Sequence, residues 1–298
     1  MFEKSVDELK ELGADITTAE IAQQPDLWED TFQIYADNKA AIEKFLAEAN
    51  AMAEGRTSVV FAGAGTSDYV GDTVAPYLRH AGDTATYDFK PVATTDIVSA
   101  PRDFLGADEP TILVSFARSG NSPESLAAVD VARKYVKNIK FLNITCAPEG
   151  KLAVESEGDP DALTLLIPRA NDKGFAMTGS YSCMALLSTL IFDTASDEQK
   201  LAWVRETARM GREVVAREDE VGAFLAGDFD RVTARAPSWA WRRSRSSRFS
   251  SSPTASPPRP GTAAWAIATG PRASSTTRPS SSSSSTTTPT RVSTTSTS

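Results

Sequence analysis

The sequence predicts an α/β domain, a parallel sheet with helices on both faces, followed by a disordered C-terminal tail. Three observations carry this. Short, largely apolar runs, SVVFA at 58–62 and TILVSF at 111–116 among them, alternate with segments of helical periodicity. Such runs read as strands buried on both faces, which requires a sheet covered by helices. Near residue 234 the composition turns to Ser, Thr, Pro and Arg, with an unbroken serine run at 280–285. A stretch so poor in apolar side chains cannot offset the entropy of ordering it.

The elements follow in order. Residues 3–13 form a short amphipathic helix by periodicity. Thr17 or Thr18 is the expected N-cap of a second helix beginning near Ile21. A longer helix is predicted over 27–54, where Trp28, Phe32, Tyr35, Ile42, Phe45 and Leu46 recur at helical spacing. The first strand, 58–62, leads through Gly63-Ala64-Gly65-Thr66-Ser67 into a helix over 68–80. A weaker strand falls at 86–89. The second apolar run, 111–116, leads through Arg118-Ser119-Gly120-Asn121-Ser122-Pro123 into a helix ending near 136. Strands at 141–145 and 163–167, then helices over 178–192 and 198–225, complete the pattern. The chain thus divides into an N-terminal helical segment at 1–50, an α/β domain at 51–225 and the tail at 234–298.

Charge and cysteine use exclude several classes. The whole chain carries 31 Lys and Arg against 39 Asp and Glu. Nine of the arginines lie in 234–298, where there is no Lys, Asp or Glu. That leaves 22 basic residues against all 39 acidic ones in the first 233, a net charge of −17. So acidic a body argues against nucleic acid or an anionic membrane as partner. Any anionic ligand must be held locally, by backbone amides and hydroxyls. Cys146 and Cys183 make neither a disulfide framework nor a metal quartet, and read as buried thiols of a reducing compartment. There is no apolar run of about 18 residues, and the N-terminus is unlike a signal peptide. A cytoplasmic location is the expectation.

Two loops have the chemistry to hold a phosphate. In Gly63–Asp68 the glycines let the backbone approach an anion. Amides at the start of the next helix, with the hydroxyls of Thr66 and Ser67, can donate to it. The loop lacks the spacing of a dinucleotide fingerprint and the Gly-Lys-Ser/Thr of a P-loop. The alternative is a tight turn with Ser67 as a plain N-cap. In the second loop Ser119 and Ser122 stand three apart, Pro123 suits a first helical turn, and Arg118 adds a cation. The alternative there is Ser122 capping a helix and Arg118 lying in solvent. In parallel sheets ligands bind beyond the carboxyl ends of the strands, where both loops fall. His80, the lone histidine, reads as a cation near a helix end rather than a catalytic group. Glu124 could serve as a base, but a first-turn acid is ordinary. Gly174–Ser180 could bring Thr178 to the site or simply start a helix.

These residues resemble the sugar isomerase (SIS) domain. Gly65-Thr66-Ser67 and Ser119-Gly120-Asn121-Ser122 match its two phosphate turns. The stretches EIAQQPDLWEDT (20–31), TTDIVSA (94–100) and SFARSGNSPES (115–125) are similar to one subfamily. Its members are tagatose-6-phosphate ketose/aldose isomerases or galactosamine-6-phosphate deaminases. The likeness runs from about 17 to 233. It implies a flavodoxin-like three-layer fold and a hexose or hexosamine 6-phosphate as substrate. It implies phosphate contacts from Thr66, Ser67, Ser119 and Ser122, to which the reading of the two loops adds Gly65 and Arg118, with Thr178 lining the sugar site. No metal or redox cofactor is implied, and a homodimer is compatible with it. One departure stands out: Ala117-Arg118-Ser119 replaces the Ser-Gln-Ser turn of glucosamine-6-phosphate synthase. The other reading is a non-catalytic sugar-phosphate sensor, although the helix-turn-helix usual in sensors is not evident. A third is an RNA-binding tail, for which Trp239, Trp241, Phe249 and Trp265 are the tail's only aromatics.

The resemblance also implies a second SIS domain bearing a catalytic glutamate and an R-H-G-P-K motif, which this sequence lacks. Back-translated with free choice of synonymous codons and shifted in frame, 236–253 reads ALVGLAQESQLKVLELT and 264–274 reads MGYRHGPKSF. The expectation is an out-of-frame remnant of the second domain, and a chain that by itself turns over little substrate.

Overall fold

A computed structural model describes residues 1–227; the tail at 234–298, with its expected disorder and shifted frame, lies outside the described residues. The elements are α1 (Val6–Glu11), α2 (Asp15–Ala22), α3 (Gln24–Asp37), α4 (Lys39–Ala51), β1 (Thr57–Gly63), α5 (Asp68–Ala81), β2 (Tyr87–Ala93), α6 (Thr94–Ser99), α7 (Pro101–Phe104), β3 (Thr111–Ala117), α8 (Pro123–Tyr135), β4 (Ile139–Thr145), α9 (Lys151–Val154), β5 (Ala162–Leu166), α10 (Gly179–Phe192), α11 (Asp197–Ala216) and α12 (Glu218–Leu225). The five strands form one sheet in the order β2-β1-β3-β4-β5, every pair parallel.

The sheet sorts its side chains by parity, as a pleated strand must. Val59, Phe61, Ile112, Val114, Phe116, Leu142 and Ile144 face a core shared with α3, α5 and α10. Val60, Ala62, Leu113 and Phe141 face a second core shared with α6 and α8. That is the expected three-layer architecture. At the centre of the first core the rings of Phe61, Phe89, Phe116, Phe192 and Tyr87 meet at 5.7–6.1 Å between centroids. Edge-on pairs such as Phe61 with Phe192, at 82°, suit the ring quadrupoles.

Several boundaries differ from the sequence reading. The second helix starts at Asp15, with Thr17 and Thr18 inside it. Gly13, at φ 63°, ends α1 in a left-handed turn, so the chain re-enters a helix at once. The long helix expected over 27–54 is two helices. Asn38 divides them, its side-chain amide donating to the Ile34 carbonyl at 2.8 Å. The last helix likewise breaks, at Arg217. The second strand runs on through Pro91 to Ala93. Proline forfeits a ladder donor, and β2 tolerates it because it is an edge strand.

The N-terminal helices share the main core: Leu27, Tyr35, Ile42 and Phe45 pack into it, and Trp28 Nε1 donates to Ser182 Oγ at 2.9 Å. A polar cluster joins them to α11. Asp197 accepts from Tyr35 Oη at 3.0 Å and from Lys39, whose hydrogen bond is the chief cause of a carboxyl held below its usual range. A carboxyl depressed in the folded state adds stability above its unfolded value, near pH 4, and loses it as pH falls through the folded value. Asp197→Asn is therefore expected to flatten part of the acid-side fall in stability. Thermal unfolding between about pH 3 and 7 checks this; equal slopes for parent and variant would contradict it.

Candidate phosphate site at the switch point

The strand order places the site. From β1 the chain crosses to β2 on one side, then to β3 on the other. In doubly wound sheets such a reversal opens a crevice at the carboxyl ends of the diverging strands. Gly63 pairs with Phe116, so the loops that follow β1 and β3 leave the sheet side by side. Ser67 and Ser119 thus lie beyond neighbouring strand tips.

The first loop is a single 3₁₀ turn, Gly65–Ser67, running straight into α5. It folds back so tightly that a Cβ on Gly63 would lie 2.3 Å from the Ser67 carbonyl carbon. Gly65 takes φ 60°, the left-handed region. Ser67 is not a side-chain cap: it has helical backbone angles, and its buried hydroxyl points to Met177 Sδ at 3.8 Å. Thr66 and Gly65 are exposed. Thr94, the first residue of α6, steadies the loop by donating to the Gly63 carbonyl at 3.1 Å.

The second loop opens α8. Ser122 is its N-cap residue, yet its hydroxyl makes no capping bond, and Pro123 holds the first turn. Ser119 is exposed, and its hydroxyl accepts the Asn121 amide at 3.4 Å. The loop after β4 buttresses it. A Cβ on Gly150 would lie 2.3 Å from the Ser119 carbonyl oxygen, and Asn121 Oδ1 accepts the Lys151 amide at 3.1 Å. Arg118 does not lie free in solvent: its Nη1 donates to the Gly174 carbonyl at 2.8 Å.

A third segment, 171–178, borders both loops through Gly174 and Met177. Asp172 anchors it. This buried carboxylate accepts from the amides of Thr178, Gly179 and Ser180 and the hydroxyls of Thr178 and Ser180, at 2.5–3.1 Å. Asp172 thus occupies the N-terminus of α10. Thr178 is buried, with its hydroxyl proton committed to Asp172, so only its oxygen lone pairs are left to face a ligand.

His80 sits in the last turn of α5. That helix begins at the crevice, and its 14 residues, at about 1.5 Å each, carry His80 to the far edge of the sheet. Glu124 is exposed in the first turn of α8, on the crevice side. Two cavities lie away from both loops. Volumes of about 130 and 460 Å³ open between α11 and the α3, α4 and α10 helices, around Lys200. Burial pushes the Cys183 thiol up to about 11 and Cys146 higher still, so both are inert core residues. Among the described residues no helix is long and apolar enough to cross a membrane.

Sequence reasoning missed Thr94, Gly150, Asp172 and Glu20. Gly150 carries a local turn signal in Ala147-Pro148-Glu149-Gly150. Glu20 carries none, because the backbone it holds lies 153 and 154 residues away.

The fold is that of the SIS-type α/β domains, with two hydroxyl-bearing loops at the switch point of its parallel sheet. No family model matches the chain. Among curated proteins it is homologous to the AgaS proteins. The D-galactosamine-6-phosphate deaminase AgaS of Shewanella sp. (strain ANA-3) is 39% identical over 189 residues, 63% of this chain and 48% of that protein. A Streptomyces coelicolor protein provisionally given the same name is 45% identical over 176 residues, 58% of this chain and 44% of that one. A solved structure from Clostridium novyi NT, provisionally named a tagatose-6-phosphate ketose/aldose isomerase, superposes with a TM-score of 0.72. It is 38% identical and covers 80% of this chain and 60% of its own. The tagatose-6-phosphate ketose/aldose isomerase of Escherichia coli gives 0.66 at 29% identity, over 76% and 59% of the two chains. The chain spans about half the length of the curated relatives it matches.

Proposed function

We propose that the crevice between the β1 and β3 loops binds the phosphate of a hexose or hexosamine 6-phosphate. The chain is on this reading the substrate-binding part of an aldose–ketose isomerase or an amino-sugar-phosphate deaminase. The observation that carries it is the pairing of two hydroxyl-bearing helix starts at one switch point. The amides opening α5 and α8 and the hydroxyls of Thr66, Ser119 and Ser122 supply donors without net charge, and the Ser67 hydroxyl joins them on turning from Met177. Arg118 adds a cation within an otherwise acidic body. Thr178 would lend acceptor lone pairs to the sugar.

The chemistry sets what else is needed. Aldose–ketose interconversion requires an opened ring and a base that carries a proton between C1 and C2. Deamination adds loss of the 2-amino group as ammonia through an imine. A phosphate held away from these carbons supplies orientation. The acid and base must stand within hydrogen-bond reach of the reacting carbons. Apart from Glu124, the residues assigned here grip and orient; they do not move protons. We therefore propose that this chain alone binds and does not turn over, the proton-moving groups belonging to the half of the relatives it does not span.

Calorimetric titration with galactosamine 6-phosphate, tagatose 6-phosphate and inorganic phosphate tests the binding. Ser119→Ala is expected to weaken each by about ten- to a hundredfold, since a hydrogen bond to a charged group is worth about 1.5–3 kcal/mol. No heat from any of the three with a folded chain would sink the reading. Ammonia release or ketose formation by the 298-residue chain would overturn the assignment of the proton-moving groups elsewhere.

A further inference from the structure

We propose that Glu20 and Arg118 clamp the 172–178 segment from two sides and that Arg118 ties this segment, with Phe175 at its tip, to the state of the phosphate crevice. This deepens the phosphate-binding reading and rests on it.

The clamp is built from side chains alone. Glu20, on α2, is buried, and its Oε1 accepts the amides of Lys173 and Gly174 at 2.6 and 2.9 Å. The carbonyl of the same Gly174 accepts Arg118 Nη1 from the other loop. One residue is thus held at its N–H by a carboxylate and at its C=O by a guanidinium, so that the two peptide groups flanking its Cα are both tied. Neither bond belongs to a helix or a strand.

The fit around Gly174 is close. A Cβ there would come within 2.8 Å of Glu20 Oε2. That second carboxylate oxygen is buried without a hydrogen-bond partner among the described residues. An orphaned buried carboxylate oxygen is costly and needs a reason. The two amides that Oε1 accepts fix the carboxylate in this place and supply one.

What the clamp holds is unusual. Phe175 is 84% exposed, between buried Gly174 and Ala176. Two residues on, Met177 meets the Ser67 hydroxyl of the first loop. The segment therefore touches the β3 loop at one end and the β1 loop at the other, with an aromatic ring standing in solvent between. Arg118 has five N–H donors, and one is spent on Gly174. A phosphate in the crevice can take others in the forked geometry that guanidinium favours. Fixing the guanidinium then fixes the Gly174 carbonyl and steadies the flap. By linkage, a steadied flap tightens the phosphate by the same factor.

Chymotrypsin reports the flap directly, because it cuts after exposed Phe175. Phe224, 69% exposed on α12, is an internal reference, and buried Phe116 reports global unfolding. In the full chain without ligand, Glu20→Gln and Arg118→Gln are each expected to speed cleavage after Phe175 at least fivefold. Cleavage after Phe224 should be unchanged and cleavage after Phe116 absent. Saturating inorganic phosphate should slow Phe175 cleavage in the parent and fail to do so in Arg118→Gln. Parent-like cleavage after Phe175 in both variants overturns the clamp. Phosphate that binds by calorimetry yet leaves Phe175 cleavage in the parent unaltered overturns the coupling and leaves the phosphate-binding reading standing. No phosphate heat at all removes both that reading and the coupling.

Discussion

Asp172→Ala is expected to lower stability by about 3–5 kcal/mol, the largest loss anticipated for a single polar side chain in this domain. The carboxylate is 5% exposed and accepts five hydrogen bonds, three from consecutive backbone amides that open α10. Those amides have no helical partners of their own, as at any helix start. Removing the acceptor leaves them buried and unpaired, together with the hydroxyls of Thr178 and Ser180. An N-cap loss at a surface helix costs about 1 kcal/mol. Here water cannot replace the lost acceptor, and a negative charge at the positive end of the helix dipole is lost as well. The packing of α10 against α3 and α5 raises the stakes, since Met184, Leu187 and Ile191 on it belong to the main core. For a domain of this size the loss corresponds to a fall of roughly 10 °C in the unfolding midpoint. Asp172→Asn, with one oxygen acceptor left, should lose about half as much. Denaturant unfolding of both variants decides; a loss under about 1 kcal/mol for the alanine variant would show that water reaches the α10 amides.

The architecture was legible because burial leaves a plain mark. Val59–Ala62 and Ile112–Phe116 are apolar on both parities, as two-sided burial demands, and the intervening helices fix a parallel sheet. Pro91 and Lys90 blurred β2, since an edge strand is relieved of the constraint that makes central strands readable. Asn38 hid a helix break because its capping acts through a local side-chain bond that periodicity does not register. Of the candidate site, the hydroxyl loops were legible because each sits between a strand and a helix start. Their supports were not. Asp172 and Glu20 act on backbone amides, which every residue offers, and Gly150 acts by leaving room for Ser119. Composition and spacing carry no trace of a contact made to a peptide group. Thr178 illustrates the converse: that it starts a helix was readable, and the direction of its hydroxyl was not.

Gly63→Ala is expected to weaken sugar-phosphate and inorganic-phosphate binding by more than about a hundredfold, at least as much as the loss of a strong hydrogen bond to a charged group. A Cβ at this position would meet the Ser67 carbonyl carbon at 2.3 Å, its oxygen at 2.4 Å and the Asp68 amide nitrogen at 2.6 Å. All three are backbone atoms, so no side chain can swing aside. Gly63 itself cannot retreat, being held in register with Ala93 on one side and Phe116 on the other. The strain falls on the 3₁₀ turn, which must open. Opening carries Ser67 away from Met177 and turns the first amides of α5 out of the crevice. The core beneath is untouched, since Val59, Phe61 and their neighbours lie further back along β1. The stability cost should accordingly stay near 1–3 kcal/mol, the usual range for overpacking. Gly13→Ala, between α1 and α2 and outside both loops, is the matched control. Beyond its chain neighbours no atom lies within 4 Å of a Cβ there, so the change adds only the left-handed strain of φ 63°, about 1–2 kcal/mol. If the first loop binds phosphate through its fixed shape, the two variants lose similar stability and very different affinity. Titration with galactosamine 6-phosphate and with inorganic phosphate, alongside denaturant unfolding, separates the two quantities. A Gly63→Ala chain that binds within tenfold of the parent would mean that the turn between β1 and α5 is scaffold, and that the β3 loop holds the phosphate by itself.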